Sequence, residues 1–282
     1  PVLETCIIQQ KLAAEQRYPA IRMENIKGAE LPLATSILGS YSLLGLALGV
    51  DPGEPKSAIL QRFRDRAATP LKPQEIAREE APVKQVVLIG DNVDLAKLPI
   101  VHHAEKDSGK YITVGVLVLR DPDSGVLNAG MYRHEVKGKD KLGCMFNPAH
   151  HAAYIYRRCQ ELNKRMEAAL FIGHHPAALL GALGEGSIDS CELDLMGGLM
   201  GEPLVVTDAE TVDIPVPAFA EIVIEGYLDP ADQTADGPFA EFTGFYGPAK
   251  DDIGLMHITA MTMRSDAIYH DLDPAHQEHN LA

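Results

Sequence analysis

Asp236 and Glu241 stand on either side of Gly237-Pro238 in the run Ala-Asp-Gly-Pro-Phe-Ala-Glu-Phe-Thr-Gly-Phe-Tyr, residues 235–246. Gly-Pro interrupts helix and strand alike, so the sequence predicts a rigid bend that carries two acids. Such a bend can aim both carboxylates into one space. Phe239, Phe242 and Phe245 would make that space apolar. An apolar wall favours the protonated acid, the form that general acid chemistry needs. The competing reading is a surface turn with solvated acids and phenylalanines turned to the core.

Other separated residues have suitable chemistry. Asn128 lies in VLNAGMYRHEV (126–136), His150 follows Asn147-Pro148-Ala149, and Glu192 precedes LDLMGG. An amide oxygen, an imidazole and a carboxylate suit Mg²⁺ or Mn²⁺, with a phosphate oxygen to complete the shell. Each also has a structural reading, as a turn residue, a helix-start side chain and a solvated helix acid. Arg133 is five residues after Asn128, so an ideal strand would turn the two to opposite faces. A bulge at Gly130 would bring both to one cavity. There Arg133 could grip a carboxylate through two parallel hydrogen bonds. Otherwise it is a solvated strand arginine. The doublets His102-His103 and His174-His175 point their rings apart on any regular element, so they and His151 read as structural or exposed. Glu221 and Glu225 alternate with apolar residues and flank a strand.

The elements that must position these groups are α/β in character. Helix-like patterns cover residues 4–18, 56–68, 151–169 and 193–201, the last ending at a glycine pair. Strand-like runs cover 84–90, 168–173, 203–208, 220–226 and 256–264. Residues 111–120 and 126–136 form a hairpin around Asp-Pro-Asp-Ser-Gly. The expected organisation is a mixed N-terminal domain over 1–85, closed by a Pro-rich linker, and a strand-rich domain over 86–282.

Composition narrows the function. The net charge of −15 excludes a nucleic-acid binder, which needs a basic face, but leaves room for an anionic substrate held by a buried arginine. Cys6, Cys144, Cys159 and Cys191 show no paired spacing and read as reduced thiols of a cytoplasmic chain. Residues 31–50 lack charge, yet Pro32, three glycines, three serines and a threonine make them a buried strand or loop followed by a helix, not a membrane span. The polar start shows no signal peptide. Both ends look cut, which points to a fragment.

The segments MENIKG (23–28), LPI (98–100), YITVG (111–115), LNAGMYR (127–133), NPAH (147–150), FIGHHPA (171–177), EIVIEG (221–226), DGPFAEFTGFYG (236–247) and AMTMR (260–264) occur in an order that resembles the UbiD-type decarboxylases. Members of that family use prenylated flavin mononucleotide (prenylated FMN). The resemblance implies a split β-barrel flavin-binding domain over 86–282. It further implies reversible decarboxylation of an aromatic, heteroaromatic or α,β-unsaturated acid. It assigns Asn128, His150 and Glu192 to a divalent metal, Mn²⁺ or Mg²⁺, on the cofactor phosphate, with K⁺ as a further ion. It makes Arg133, Asp236 and Glu241 catalytic, and it places Thr113 and the 129–132 segment (Gly130, Met131 and Tyr132 within it), followed by Arg133, against the cofactor. Asp236 departs from the usual glutamate and reaches about one methylene less. The implied partners are a flavin prenyltransferase, CO₂ and further copies of the chain in a homodimer or homohexamer. The family's C-terminal domain, which helps assembly, is absent from these residues. Two rival readings stand beside this one: a metal-dependent hydrolase using a metal-bound water, and a non-catalytic flavin-binding or assembly subunit.

Overall fold

A computed structural model describes residues 3–184 and 186–281. Its centre is a nine-stranded sheet. Eight strands form one path in the order Tyr111–Ile112, His134–Gly138, Lys141–Cys144, Lys250–Met263, Ile222–Asp236, Met166–Ile172, Val116–Arg120 and Leu127–Met131. Val86–Ile89 adds to Lys250–Met263 off that path, and every pairing in the sheet is antiparallel.

The chain order forces this sheet to curl. Leu127–Met131 and His134–Gly138 are separated only by Tyr132 and Arg133, yet they lie six strand spacings apart along the path. Six spacings in a flat sheet measure roughly 29 Å. Three Cα steps reach at most about 11 Å. The sheet must therefore roll until its ends meet. Thr113–Gly115 makes a second crossing of the same kind, between Tyr111–Ile112 and Val116–Arg120. Among the described residues no ladder joins the two end strands, Leu127–Met131 and Tyr111–Ile112. The result is a split barrel whose seam is bridged by Thr113–Gly115 and Tyr132–Arg133.

Both faces of the rolled sheet are buried, which explains its apolar runs. In Val116–Arg120, Leu117 and Leu119 join one core with Leu142, Leu170, Ile224 and Met256. Val116 and Val118 join a second core under the helices Pro176–Ala182 and Glu192–Met200. Helix His151–Glu161 covers the first core with Ala152, Ile155 and Tyr156.

Several expected elements change. The strand expected over 111–120 is two strands, because Thr113–Gly115 leaves the ladder to cross the seam. The expected partner over 126–136 likewise splits at Tyr132–Arg133, so only Val116–Arg120 and Leu127–Met131 make the hairpin. The helix expected over 151–169 stops at Glu161; Asn163 adopts a positive φ of 48°, and the chain re-enters the sheet as Met166–Ile172. The helix expected to end at Gly197-Gly198 runs through the pair to Met200 and closes at Gly201, φ 82°. Residues 31–50 form the strand Leu33–Thr35 and the helix Tyr41–Ala47, as expected. No helix among the described residues is long and apolar enough to cross a membrane.

Residues on either side of position 85 share the small sheets. Leu33–Thr35 pairs in parallel with Tyr269–His270, and Gln74–Glu75 pairs in parallel with Val205–Asp208.

Candidate active site at the barrel seam

Asp236 is the last residue of the long strand Ile222–Asp236, and a cis Gly237–Pro238 peptide follows it. The chain then forms a small ribbon, Phe239–Ala240 against Tyr246–Gly247, with Glu241 at its turn. The bend predicted around Gly237-Pro238 is thus real, but it begins inside the sheet. The loop before Tyr111 clamps it. Asp107 accepts the Ala240 amide at 2.8 Å, the Ser108 amide donates to Pro238 O at 2.9 Å, and the Lys106 amide donates to the Tyr246 hydroxyl at 3.1 Å.

Arg133 emerges from the Tyr132–Arg133 crossing directly opposite this bend. Its Nη2 donates to Asp236 Oδ2 at 2.6 Å, and its Nη1 donates to Glu241 Oε1. One guanidinium therefore joins both acids. The Asp236 side chain is fully buried, while one third of Glu241 reaches solvent. Burial alone would lower the pKa of Arg133; the pairing with Asp236, then Glu241, reverses this and keeps the cation charged. Of the three phenylalanines, only Phe239 walls the site. It is buried, and its ring lies 4.8 Å from the Arg133 guanidinium carbon. Phe242 and Phe245 are 53% and 77% exposed.

Asn128 and Glu192 meet on the far side of Leu127–Met131. Glu192 Oε2 accepts from Asn128 Nδ2 at 3.1 Å and from the Ala129 amide at 2.9 Å. Glu192 opens the helix Glu192–Met200 and is buried, which raises its pKa against the pull of those donors. Asn128 Oδ1 is buried with no hydrogen-bond partner. A buried carboxylate and an orphaned amide oxygen side by side form a hard donor set that fits a divalent cation. His150 is exposed at the N-cap of His151–Glu161, with its ring 5.9 Å from that of Tyr132. Tyr132 is pushed up to about 12 by burial and then by the Glu192 charge. Among the described residues no three His, Cys, Asp or Glu side chains form a metal cluster by themselves.

Gly130 has a different role from the expected bulge. Leu127–Met131 pairs with Val116–Arg120 without a register shift. A Cβ on Gly130 would lie 2.5 Å from the Tyr132 hydroxyl, so glycine leaves room for that ring to fold back. Asn128 lies within the strand, and Arg133 lies beyond its end at Met131. Thr113 sits on the other crossing; its hydroxyl donates to Leu272 O at 2.6 Å and accepts the Leu272 amide at 3.2 Å. His103 is buried against Asp271 at 2.9 Å. Glu225 is fully buried and accepts the Glu210 and Thr211 amides.

The sequence reading missed three groups at this site. Tyr111 and Glu135 lie behind Asp236. His279 packs on Phe242 with ring centroids 5.4 Å apart and feels the Glu241 charge, although burial lowers its pKa overall. One signal was available: Arg133, Glu135 and Lys137 alternate in the sequence with a period of two.

Comparison with known proteins places this geometry. The model of one family, described as "UbiD: 3-octaprenyl-4-hydroxybenzoate carboxy-lyase Rift-related domain", matches residues 74–276. An uncharacterized protein of Aquifex aeolicus is 34% identical over 273 residues, which cover 89% of this chain and 54% of that protein. Among solved structures, an evolved dimeric form of the UbiD-class enzyme HmfF from Pelotomaculum thermopropionicum, in complex with prFMN, superposes with a TM-score of 0.92 at 35% identity. That match covers 100% of this chain and 64% of HmfF. The closed form of the vanillic acid decarboxylase of Sedimentibacter hydroxybenzoicus gives 0.92 at 28% identity, over 100% of this chain and 61% of that enzyme. The chain thus spans between half and two thirds of these relatives.

Proposed function

This chain belongs to the UbiD family, and we propose that it catalyses reversible, non-oxidative decarboxylation of an aromatic, heteroaromatic or α,β-unsaturated carboxylic acid, using prenylated FMN and Mn²⁺ or Mg²⁺. The observation that carries this reading is the single buried guanidinium of Arg133 joined to two acids at the barrel seam. When bound, the cofactor supplies an electron sink for the bond that releases CO₂. Arg133 orients the substrate carboxylate, and Asp236 holds Arg133 in place. Glu241 delivers a proton to the carbon that lost CO₂ and takes one back in carboxylation. Its partial exposure suits a group that must exchange protons each turnover. Asn128 and Glu192, with His150, would hold a divalent cation that neutralises the charge of the cofactor phosphate. Gly130, Met131 and Tyr132, with Thr113, line the cofactor face at the two crossings. A flavin prenyltransferase as cofactor source, assembly as a homodimer or homohexamer, and a cytoplasmic setting belong to the same reading.

The test is Glu241→Gln in protein co-expressed with a flavin prenyltransferase, assayed for CO₂ release from vanillate, 3,4-dihydroxybenzoate and a wider panel of acids. Prenylated flavin content should match wild type while turnover falls by about 10²- to 10⁴-fold, the range for losing a general acid. Full turnover in this variant overturns the assignment. Turnover with Mn²⁺ and no flavin supports a hydrolase, and flavin without any turnover supports a binding subunit.

A further inference from the structure

Asp236 has an anchor on each oxygen. Oδ2 takes Arg133 at 2.6 Å, and Oδ1 faces the Tyr111 hydroxyl at 3.3 Å. Tyr111 is fully buried, and its hydroxyl is a crossroads. It lies 2.7 Å from Ser108 Oγ and 3.0 Å from Glu135 Oε2, and it accepts the Gly237 amide at 3.1 Å. Glu135 is itself buried and accepts the same amide at 3.3 Å. Lys137 Nζ, 2.7 Å from Glu135 Oε2, supplies the compensating charge.

We infer that Tyr111 and Glu135 are positioning residues for the decarboxylation proposed above, acting through Asp236 and the Gly237 amide to fix the edge that Arg133 presents to substrate. The inference rests on that reading of the reaction.

The geometry leaves little freedom elsewhere. Tyr111 and Glu135 are direct ladder partners, so backbone pairing sets their spacing. Tyr111 adjoins one seam crossing, and Glu135, in the strand His134–Gly138, follows Arg133 of the other crossing by two residues. Burial, reinforced by the charges of Asp236 and Glu135, keeps the phenol protonated and hence a donor. That phenol has one proton, shared between the carboxylates of Asp236 and Glu135. Without it, Asp236 Oδ1 has no hydrogen-bond donor among the described residues, and the carboxylate can turn about its terminal bond, carrying Arg133 with it. A misplacement of about 1 Å at a positioning group is enough to cost on the order of 100-fold in rate.

The test compares Tyr111→Phe, which keeps the ring against Phe239 at 4.4 Å, with Glu135→Gln, which keeps a carbonyl acceptor. Both are studied as the cofactor-loaded protein. On an acid of the panel that wild type decarboxylates, Tyr111→Phe should lower kcat by about 10- to 100-fold with KM within about threefold. Glu135→Gln should lose less than Tyr111→Phe. Cofactor content should stay at the wild-type level. The Gly237 amide should exchange at least about tenfold faster in Tyr111→Phe, with residues 222–228 unchanged. A wild-type kcat, or a loss confined to KM or cofactor content, overturns the inference. If wild type decarboxylates no acid, the reaction assignment fails first, and Gly237 exchange still decides: unchanged protection in Tyr111→Phe overturns the positioning role, and lost protection upholds it.

Discussion

At the scale of single residues, the seam is organised by one cation. Arg133 is nine tenths buried and Asp236 wholly so, while Glu241 keeps contact with water. Removing the Asp236 charge by Asp236→Asn leaves Arg133 with only its more exposed partner. Breaking a buried pair on one side costs about 3 kcal/mol, and the denaturant midpoint should fall accordingly. A midpoint within 0.5 kcal/mol of wild type would show that Glu241 alone satisfies the arginine, an allowance of the order seen for neutral surface changes. The cation proposal is tested separately by Asn128→Leu, which removes the orphaned Oδ1, and by Glu192→Gln. Bound Mn²⁺, measured by mass spectrometry of purified protein, should drop from one per chain to a trace in both, with unchanged circular dichroism. Much of this site was legible in the sequence because its residue types are unusual where they stand. An acid before Gly-Pro and a lone arginine after Gly-Met-Tyr announce themselves. Tyr111 and Glu135 did not, since a buried tyrosine in Tyr-Ile-Thr-Val-Gly reads first as core.

At the scale of elements, the helix Glu192–Met200 decides where Glu192 points. The sequence suggested that Gly197-Gly198 ends this helix, whereas the pair lets the helix lie against residues 66–71. A Cβ at Gly198 would stand 2.8 Å from Thr69 O and 2.9 Å from Arg66 O, both backbone atoms that cannot step aside. Arg66 also donates to Leu199 O at 2.7 Å and so ties the helix end to the helix Lys56–Ala67. Gly198→Ala should therefore destabilise by about 2 kcal/mol, as overpacking does, although alanine is the better helix former. The same substitution should weaken Mn²⁺ retention without touching a ligand, because the helix must shift as a body. Equal or greater thermal stability would refute the close approach. Local periodicity located this helix but could not reveal its neighbour 130 residues earlier. The end of His151–Glu161 was missed for a similar reason: Asn163, the residue that stops it, takes the left-handed conformation only in company with the turn that follows.

At the scale of the molecule, the rolled sheet buries both of its faces, and it buries His134 and His270 with them while His174 is partly buried. His134, His174 and His270 are each pulled from 6.5 down to about 4, with burial the main cause. The individual strands were legible from their apolar runs, but the closure was not, because it depends on pairings between segments more than one hundred residues apart, such as Lys141–Cys144 with Lys250–Met263. That closure has a measurable consequence. A histidine whose folded value is depressed contributes stability that is complete above its unfolded value, near 6.5, and is lost as pH falls through 4. Each should account for about 3 kcal/mol by order of magnitude. Glu278 acts in the opposite sense. Burial raises it to about 7, so its contribution is complete below 4.5 and is lost as pH rises through 7. The three histidines together should therefore make stability rise between pH 4 and 6.5. Neither ring nitrogen of His174 has a hydrogen-bond partner, so His174→Leu removes a titrating group without breaking a bond. Denaturant midpoints across pH 4.5 to 8 should then show a shallower acid limb than wild type. An unchanged slope would mean that His174 is already reached by water, and that the roll of the sheet is looser on that side than its packing indicates.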